Sequence, residues 1–150
     1  MTEQLSPLAL QALAVVEESG AIIGANHAHP HTIRHKGRID LVTETDIAVE
    51  AFLKERLATL APQAGFLAEE SAEDLSLPDT CWIIDPVDGT TNFAHGLPLT
   101  VTSVAYRLNG EIVLGIVNAP LLRECFIAEK GKGAWRNGER ISVSSVTACE

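Results

Sequence analysis

The chain has 150 residues, 46% of them hydrophobic, and a formal net charge of −9. This length and apolar content suit one domain whose core needs no disulfide. The acidic excess argues against nucleic acid or an anionic membrane surface as a partner. Three cysteines without CxxC spacing, Cys81, Cys125 and Cys149, predict free thiols in a reducing cytoplasm.

The first predicted element is a helix that begins at Ser6-Pro7, with serine at the cap and proline at the first helical position. We expect Gly24 and the polar residues after it to end this helix. The segment has no basic n-region, and no window approaches the ~18 apolar residues of a bilayer span, so we interpret it as a helix of the mature fold. The positions expected to face the core recur at mostly helical spacing: Leu8, Leu13, Val16 and Ile23.

A second helix is predicted to begin within Thr43-Glu44-Thr45-Asp46 and to close at Pro62. Between the two helices, a histidine-rich polar stretch is interpreted as an irregular loop, which is a poor metal site without cysteines or helical spacing. The histidines in question are His27, His29, His31 and His35. The second helix's expected core positions are Ile47, Ala51, Leu57 and Leu60.

After Pro62 the hydrophobic period changes to two, which predicts strands. Short candidate strands occupy residues 65–68 and 81–84. The runs VTSVAYRL and EIVLGIV flank Asn109-Gly110, a strong hairpin signal. ECFIAEK and the pair around Asn137-Gly138 continue the pattern. Two helices followed by an antiparallel meander predict an α+β domain.

Carboxylates cluster where the apolar run of residues 81–84 ends. Proline cannot donate to a sheet ladder and glycine relaxes the backbone, so we expect the strand to stop and turn at Pro86 to Gly89. Asp85, Asp88 and the Val87 carbonyl would then face one point beyond the strand end. Such oxygen ligands suit Mg²⁺ better than zinc. The alternative is that both carboxylates only cap a turn.

A longer string extends this motif. WIIDPVDGTTNFAHGLP, residues 82–98, resembles the signature of the inositol monophosphatase family. Further segments resemble that family in order along the chain: DLVTETD at 40–46, FLAEES at 66–71, with Ala68 where the family usually has glycine, and AEKGKGAWRNGERISVS at 128–144. The resemblance implies a Mg²⁺-dependent, lithium-sensitive phosphatase. It also implies two N-terminal helices packed on an antiparallel sheet, as the first half of a layered αβαβα fold.

The resemblance implies metal ligands at named positions. Glu69, Asp85 and the Val87 carbonyl would hold a first Mg²⁺, and Asp85 and Asp88 would share a second. Glu69 would also contribute to a third, weaker ion site, and Mn²⁺ is an alternative metal. In this interpretation the acids trap cations, and the cations bind the phosphate.

The resemblance also assigns catalytic roles. Thr90, supported by Asp46, would orient and help deprotonate the attacking water, with Glu69 beside it. The amides of Gly89 and Thr90 would face the phosphate. Two further candidates are Lys36, near where the family often has a basic residue, and Glu70 as a supporting carboxylate.

The resemblance covers about the first half of the family's usual length. The family's later W-D motif, whose acid completes the second metal site, has no counterpart here, because Ile83 follows Trp82 and Arg136 follows Trp135. We therefore expect one α+β domain over residues 1–150, without the family's C-terminal α/β domain.

Two functional hypotheses follow. The first is a phosphomonoesterase acting on inositol monophosphate or a related small polyol or sugar phosphate, with histidinol phosphate and fructose bisphosphate as alternative substrates. The second is a catalytically weak metal-binding or assembly module of the same family. Its exposed sheet edge would need a second copy, giving a dimer, or the absent C-terminal domain.

Overall fold

A computed structural model describes residues 5–27, 33–36, 40–68 and 77–148. Its helices are α1 (Pro7–His27), α2 (Glu44–Leu60) and α3 (Thr90–Ala94). Its strands are β1 (Ile33–Lys36), β2 (Asp40–Thr43), β3 (Gly65–Ala68), β4 (Cys81–Asp88), β5 (Val101–Leu108), β6 (Glu111–Ala119), β7 (Glu124–Glu129), β8 (Gly133–Arg136) and β9 (Glu139–Ile141).

Strands β3 to β9 form one seven-stranded sheet in chain order, and β1 pairs with β2 in a separate hairpin. From β4 onward every neighbouring pair is antiparallel, which confirms the predicted meander. The pair β3–β4 is parallel, a difference from the expected antiparallel sheet. Residues 69–80 connect these two strands and are long enough for the crossover that a parallel pair requires.

Two tight hairpins order the meander. Asn109 and Gly110 join β5 to β6 with φ angles of 53° and 84°, and Asn137 and Gly138 join β8 to β9 with 48° and 82°. Positive φ at both central residues belongs to the type I′ turn, whose twist matches that of paired strands. The hairpin prediction at Asn109-Gly110 is confirmed.

Helix α1 packs on β5, β6 and β7 through small residues. Its buried face comprises Ala9, Ala12, Val15, Val16, Ser19, Gly20 and Ile23. Leu8 and Leu13, two of the predicted core positions, are only partly buried at its edges. The close approach explains the difference: a Cβ on Gly20 would lie 2.8 Å from Cβ of Pro120, and Asn118 Nδ2 donates to the Val16 carbonyl at 3.2 Å.

Helix α1 also runs to His27, past the predicted end at Gly24, which faces open space and is tolerated inside the helix. In the part of the chain that the structure describes, α1 is long and apolar enough, by length and composition alone, to cross a membrane. The expectation that no window would reach this level was therefore wrong. Here its apolar face packs on α2 and the sheet, and a core helix meets the same criterion.

Helix α2 faces the core with a different stripe from the one predicted. The buried positions are Thr45, Asp46, Val49, Glu50, Leu53 and Leu57. Leu57 confirms the prediction and Leu60 is half-buried, but Ala51 is exposed and Ile47 is 46% exposed. The first buried turn carries two polar residues, Thr45 and Asp46. A prediction from hydrophobicity alone therefore chose a face of α2 rotated away from the one that packs on α1 and β4.

Part of the predicted irregular segment is regular structure. Ile33–Lys36 pairs with Asp40–Thr43 in an antiparallel hairpin, so the interpretation of residues near His35 as a loop was wrong. The short helix α3 was also not predicted. It packs against β2, which brings the small hairpin to the end of the large sheet.

Candidate metal centre

Strand β4 does not stop at Pro86, contrary to the sequence prediction, but continues to Asp88. Asp85 pairs with Ser103 and Asp88 pairs with Val101, and the register shifts between them. Three residue steps on β4 thus oppose two on β5, which is a one-residue β-bulge. A bulge is one of the few places where a sheet accepts a proline, since the ladder is interrupted there.

The bulge changes where the two acids point. In a regular strand, residues three apart lie on opposite faces. Here Pro86 and Val87 are both buried, while Asp85 before them is half-buried and Asp88 after them is exposed. The extra residue therefore returns Asp88 to the side of the strand that Asp85 occupies, with the Val87 backbone between them.

Gly89 follows directly and turns the chain into α3. Its φ of 91° is left-handed, and a Cβ there would lie 2.8 Å from the Leu99 carbonyl oxygen. Asn92 Nδ2 donates to the same oxygen at 2.9 Å, which closes the loop after α3. The Phe93 amide donates to the Gly89 carbonyl at 3.0 Å, which makes Thr90 the first residue of the helical turn. The amides at the start of a helix have no acceptor within the helix.

The topology brings the start of α2 to the same place. Helix α2 ends four residues before β3, and β3 pairs with the first half of β4. Seventeen helical residues and eight strand residues both span about 25 Å, so the first turn of α2 lies beside the last residues of β4. Asp46 is in that turn and is 1% exposed.

The end of α1 closes this corner. Asn26 Nδ2 donates to Thr45 Oγ1 at 3.2 Å, which ties α1 to the first turn of α2. The ring of His27 lies 5.7 Å from the ring of Phe93 in α3. Lys36 lies in β1, where it pairs with Asp40 of β2. The structure thus gathers elements that carry Asp46, Asp88 and Thr90 at one end of β4.

Two predicted site residues, Glu69 and Glu70, lie outside the described residues. The described part of β3 ends at Ala68, which pairs with Ile84, the residue before Asp85. Within the described residues no group of three histidine, cysteine or acidic side chains could hold a metal. Asp85, Asp88 and the Val87 carbonyl offer only hard oxygen donors, the kind that Mg²⁺ prefers.

Comparisons with known proteins identify the family and the fold. The model of the inositol monophosphatase family matches residues 4–150. The chain belongs to this family. It is 48% identical over 139 residues to an inositol monophosphatase of Dictyostelium discoideum, a match that covers 90% of this chain and 51% of the relative.

Solved structures share the fold. The extragenic suppressor protein suhB of Bartonella henselae superposes with a TM-score of 0.87 and 33% identity, over 94% of this chain and 56% of that one. An IMPase/NADP phosphatase complexed with Mg²⁺ and phosphate gives 0.75 and 28%, over 85% and 49%. The chain therefore spans about half the length of the inositol monophosphatase relatives that it matches.

The structure adds Thr102 and Ser103 to the neighbourhood of Asp85 and Pro86. Ser103 pairs with Asp85, and Thr102 Oγ1 donates to the Pro86 carbonyl at 2.9 Å in a buried position. Sequence reasoning missed both, because placing Ser103 against Asp85 requires the register of β4 and β5, and placing Thr102 requires the bulge as well. A threonine in an alternating strand gives no other signal of such a role.

The described thiols lie apart from this chemistry. Burial and, as a smaller cause, the nearby Glu17 carboxylate raise the pKa of Cys125 to about 12. Burial also raises the pKa of Cys81, partly offset by Arg107. Both thiols are therefore poor nucleophiles.

Proposed function

We propose that a protein carrying this chain is a Mg²⁺-dependent phosphomonoesterase that hydrolyses inositol monophosphate or a related small polyol or sugar phosphate. One observation carries the proposal: the β4 bulge sets Asp85 and Asp88 on one side of the strand, directly before the Gly89-Thr90 start of α3. Two aspartates that only capped a turn would not need to lie on the same side of the strand. Family membership supports the reaction class.

The residues that would hold the metal are those implied by the motif. Asp85, the Val87 carbonyl and Glu69 would hold a first Mg²⁺, and Asp85 and Asp88 a second, with Glu69 also serving a third, weaker site. Mn²⁺ would serve as a substitute. When bound, the ions supply positive charge that neutralises the phosphate and lowers the pKa of water. The related IMPase/NADP phosphatase was solved with Mg²⁺ and phosphate, which supports this choice.

The chain's own residues would position the reactants. Thr90, at the first position of α3, would orient the attacking water and accept its proton as the Thr90 hydroxyl proton passes to the Asp46 carboxylate, with Glu69 beside them. The Gly89 and Thr90 amides donate to phosphate oxygens, as helix-start amides commonly do. Lys36 adds positive charge near the phosphate, and Glu70 supports the ligands.

A second candidate function, an assembly module with weak catalysis of its own, is favoured by the outer face of the sheet. A groove of about 250 Å³ lies there, across β6 to β9. Small residues form its floor, in register from strand to strand: Gly115, Ala128 and Ala134. We propose that this face binds a second copy or the C-terminal half of the family's chain. In this function residues 1–150 would form one α+β domain, and the protein would work in a reducing cytoplasm.

The decisive experiment is phosphate release from inositol 1-phosphate with Mg²⁺, by the chain alone and with the C-terminal half of the Dictyostelium relative supplied separately. Turnover by the chain alone supports the first function and excludes the second. Turnover only in the mixture supports assembly. No turnover, together with no Mg²⁺ or Mn²⁺ binding by calorimetry, refutes the metal-dependent assignment. Lithium inhibition, histidinol phosphate and fructose 1,6-bisphosphate are tested in the same assay.

A further inference from the structure

We propose that Thr102 is a positioning residue for the metal centre: its hydroxyl holds the β4 bulge in the register that puts Asp85 and Asp88 on one side. This inference rests on the proposed function, because it concerns the same two carboxylates. It goes further by assigning a role to a residue of β5 that contacts no substrate.

A backbone carbonyl buried in the bulge needs a hydrogen-bond partner from outside the regular ladder. Pro86 and Val87 together oppose the single residue Thr102, since Asp85 pairs with Ser103 and Asp88 with Val101. An extra residue takes local backbone groups out of the ladder. A buried carbonyl left in this way loses its hydration without replacement.

Thr102 supplies the replacement from its side chain. Its Oγ1 donates to the Pro86 carbonyl at 2.9 Å, and the residue is 0% exposed. Water cannot easily substitute at so buried a point. The bond is therefore specific to the bulged arrangement, because it joins the residue opposite the bulge to a carbonyl inside it.

Loss of this bond would weaken the choice of register. Shifting a strand by one residue moves each side chain to the opposite face. If the bulge moved or closed, Asp85 and Asp88 would no longer lie on the same side, and a shared ion would lose one ligand. Thr102 thus acts on metal affinity through the backbone, without touching the ion.

Thr102→Val tests this inference, because valine keeps the volume and removes the hydroxyl. Thr102→Ser is the rescue variant, since serine keeps the donor. Thr100→Val is the matched control: Thr100 is 1% exposed on the same segment, and its Oγ1 has no hydrogen-bond partner in the described part of the chain. Mn²⁺ dissociation constants are measured by electron paramagnetic resonance, well below each variant's unfolding temperature.

We expect Thr102→Val to weaken Mn²⁺ binding about tenfold or more, as for other residues that orient metal ligands. Thr102→Ser and Thr100→Val should stay near the parent value. Equal affinity in Thr102→Val and the parent would overturn the inference, and so would equal weakening in the serine and valine variants. If the parent chain binds no Mn²⁺, the proposed metal site itself fails. Should Thr102→Val not fold, Thr102→Cys replaces it, since a thiol is a weak donor.

Discussion

Side chains along the seven-stranded sheet alternate between two faces, one covered by helices and the other partly exposed. On the inner face, Trp82, Val104 and Ile116 pack under α1 and α2 and are at most 1% exposed. On the outer face, Ile83, Ala105 and Val117 occupy the intervening positions and stay partly open. Asp85 and Ser103 share that open face.

The difference separates stability from function within the same strands. The inner face buries apolar area, which is the main favourable contribution to folding. The outer face carries the groove across β6 to β9, and on β4 it carries the Asp85 carboxylate beside the bulge. A partner that covers the groove would lie two strands from Asp85, since Val117 pairs with Ser103 and Ser103 pairs with Asp85.

The largest expected effect tests the outer face. Asp85→Asn removes one negative charge from both proposed ion sites, so we expect metal-dependent turnover to fall at least about a thousandfold in any complete enzyme carrying this sequence. The thermal unfolding midpoint should change little. Initial rates at saturating Mg²⁺ and calorimetric Mg²⁺ titration measure the effect.

Asp79→Asn is the matched control for that charge change. Asp79 is an exposed acid before β4, far along the strand from the bulge, and its backbone carbonyl accepts from the Gly110 amide at 2.8 Å. This variant should keep the parent rate. Near-normal turnover in Asp85→Asn would contradict the metal assignment.

A pair of neighbours on β6 tests the comparison directly. Ile116 is 1% exposed on the inner face and Val117 is 38% exposed on the outer face. Truncating Ile116 to alanine should lower the free energy of unfolding by about 2 to 4 kcal/mol, through lost burial and a cavity. Val117→Ala should cost only about 0.5 kcal/mol in the isolated chain.

Urea unfolding of both variants at low protein concentration gives the two values. Similar losses would mean that the outer face is already covered, for example by a second copy. Sedimentation of the parent chain at high and low concentration would then identify that copy.

Sequence pattern alone predicted the α+β class, both long helices and the β-meander. These features depend on local signals, such as Ser6-Pro7 at a helix start and Asn109-Gly110 between alternating runs. The buried face of α2 could not be predicted in this way. Its first buried turn carries Asp46, and a buried carboxylate is outside any rule based on hydrophobicity.

The candidate site shows a similar limit. The motif around Asp85 and Asp88 was recognisable, but the expected turn at Pro86 was a bulge inside a continuing strand. A bulge depends on the partner strand, and Thr102 lies sixteen residues away in sequence. Proline excludes a regular ladder, yet it does not decide between ending a strand and bulging it. Glu69 stays a prediction, since it lies outside the described residues.

Two glycines of α1 sharpen the description of the inner face. A Cβ on Gly20 would lie 2.8 Å from Pro120 and 2.9 Å from Asn118 Nδ2, whereas a Cβ on Gly24 meets nothing within 4 Å. Gly20→Ala should therefore destabilise by about 1 to 3 kcal/mol through overpacking. Gly24→Ala should stabilise by about 0.5 to 1 kcal/mol, since alanine favours the helix.

Thermal unfolding of the two glycine variants provides a matched test within one helix. Opposite signs support close packing of α1 on the loop after β6. Stabilisation by both substitutions would show that α1 stands further from the sheet than described.

The smallest expected effect concerns Glu129, at the corner where α1 meets β7. Its Oε2 accepts from the Ser6 amide at 2.8 Å, and Lys132 Nζ lies 3.3 Å from Oε1. Burial would raise the pKa of Glu129, but the hydrogen bonds from Ser6 and the charge of Lys132 outweigh it and hold the pKa below the usual 4.5. Glu129→Gln should cost about 0.5 to 1 kcal/mol near neutral pH, from the lost charge at a helix start.

The sign of the pH dependence follows from that lowered pKa. The native state favours the carboxylate more than the unfolded chain does, so Glu129 contributes its full stability above the unfolded pKa and loses it as the pH falls through the lower folded pKa. Urea unfolding should separate parent and Glu129→Gln near neutral pH, and the difference should shrink as the pH falls through the lowered folded pKa. Glu124→Gln is the control, because its pair with Arg136 is solvent-exposed and should contribute little. A difference for Glu129→Gln that persists at the acid end would mean that side-chain shape, and not charge, anchors the start of α1.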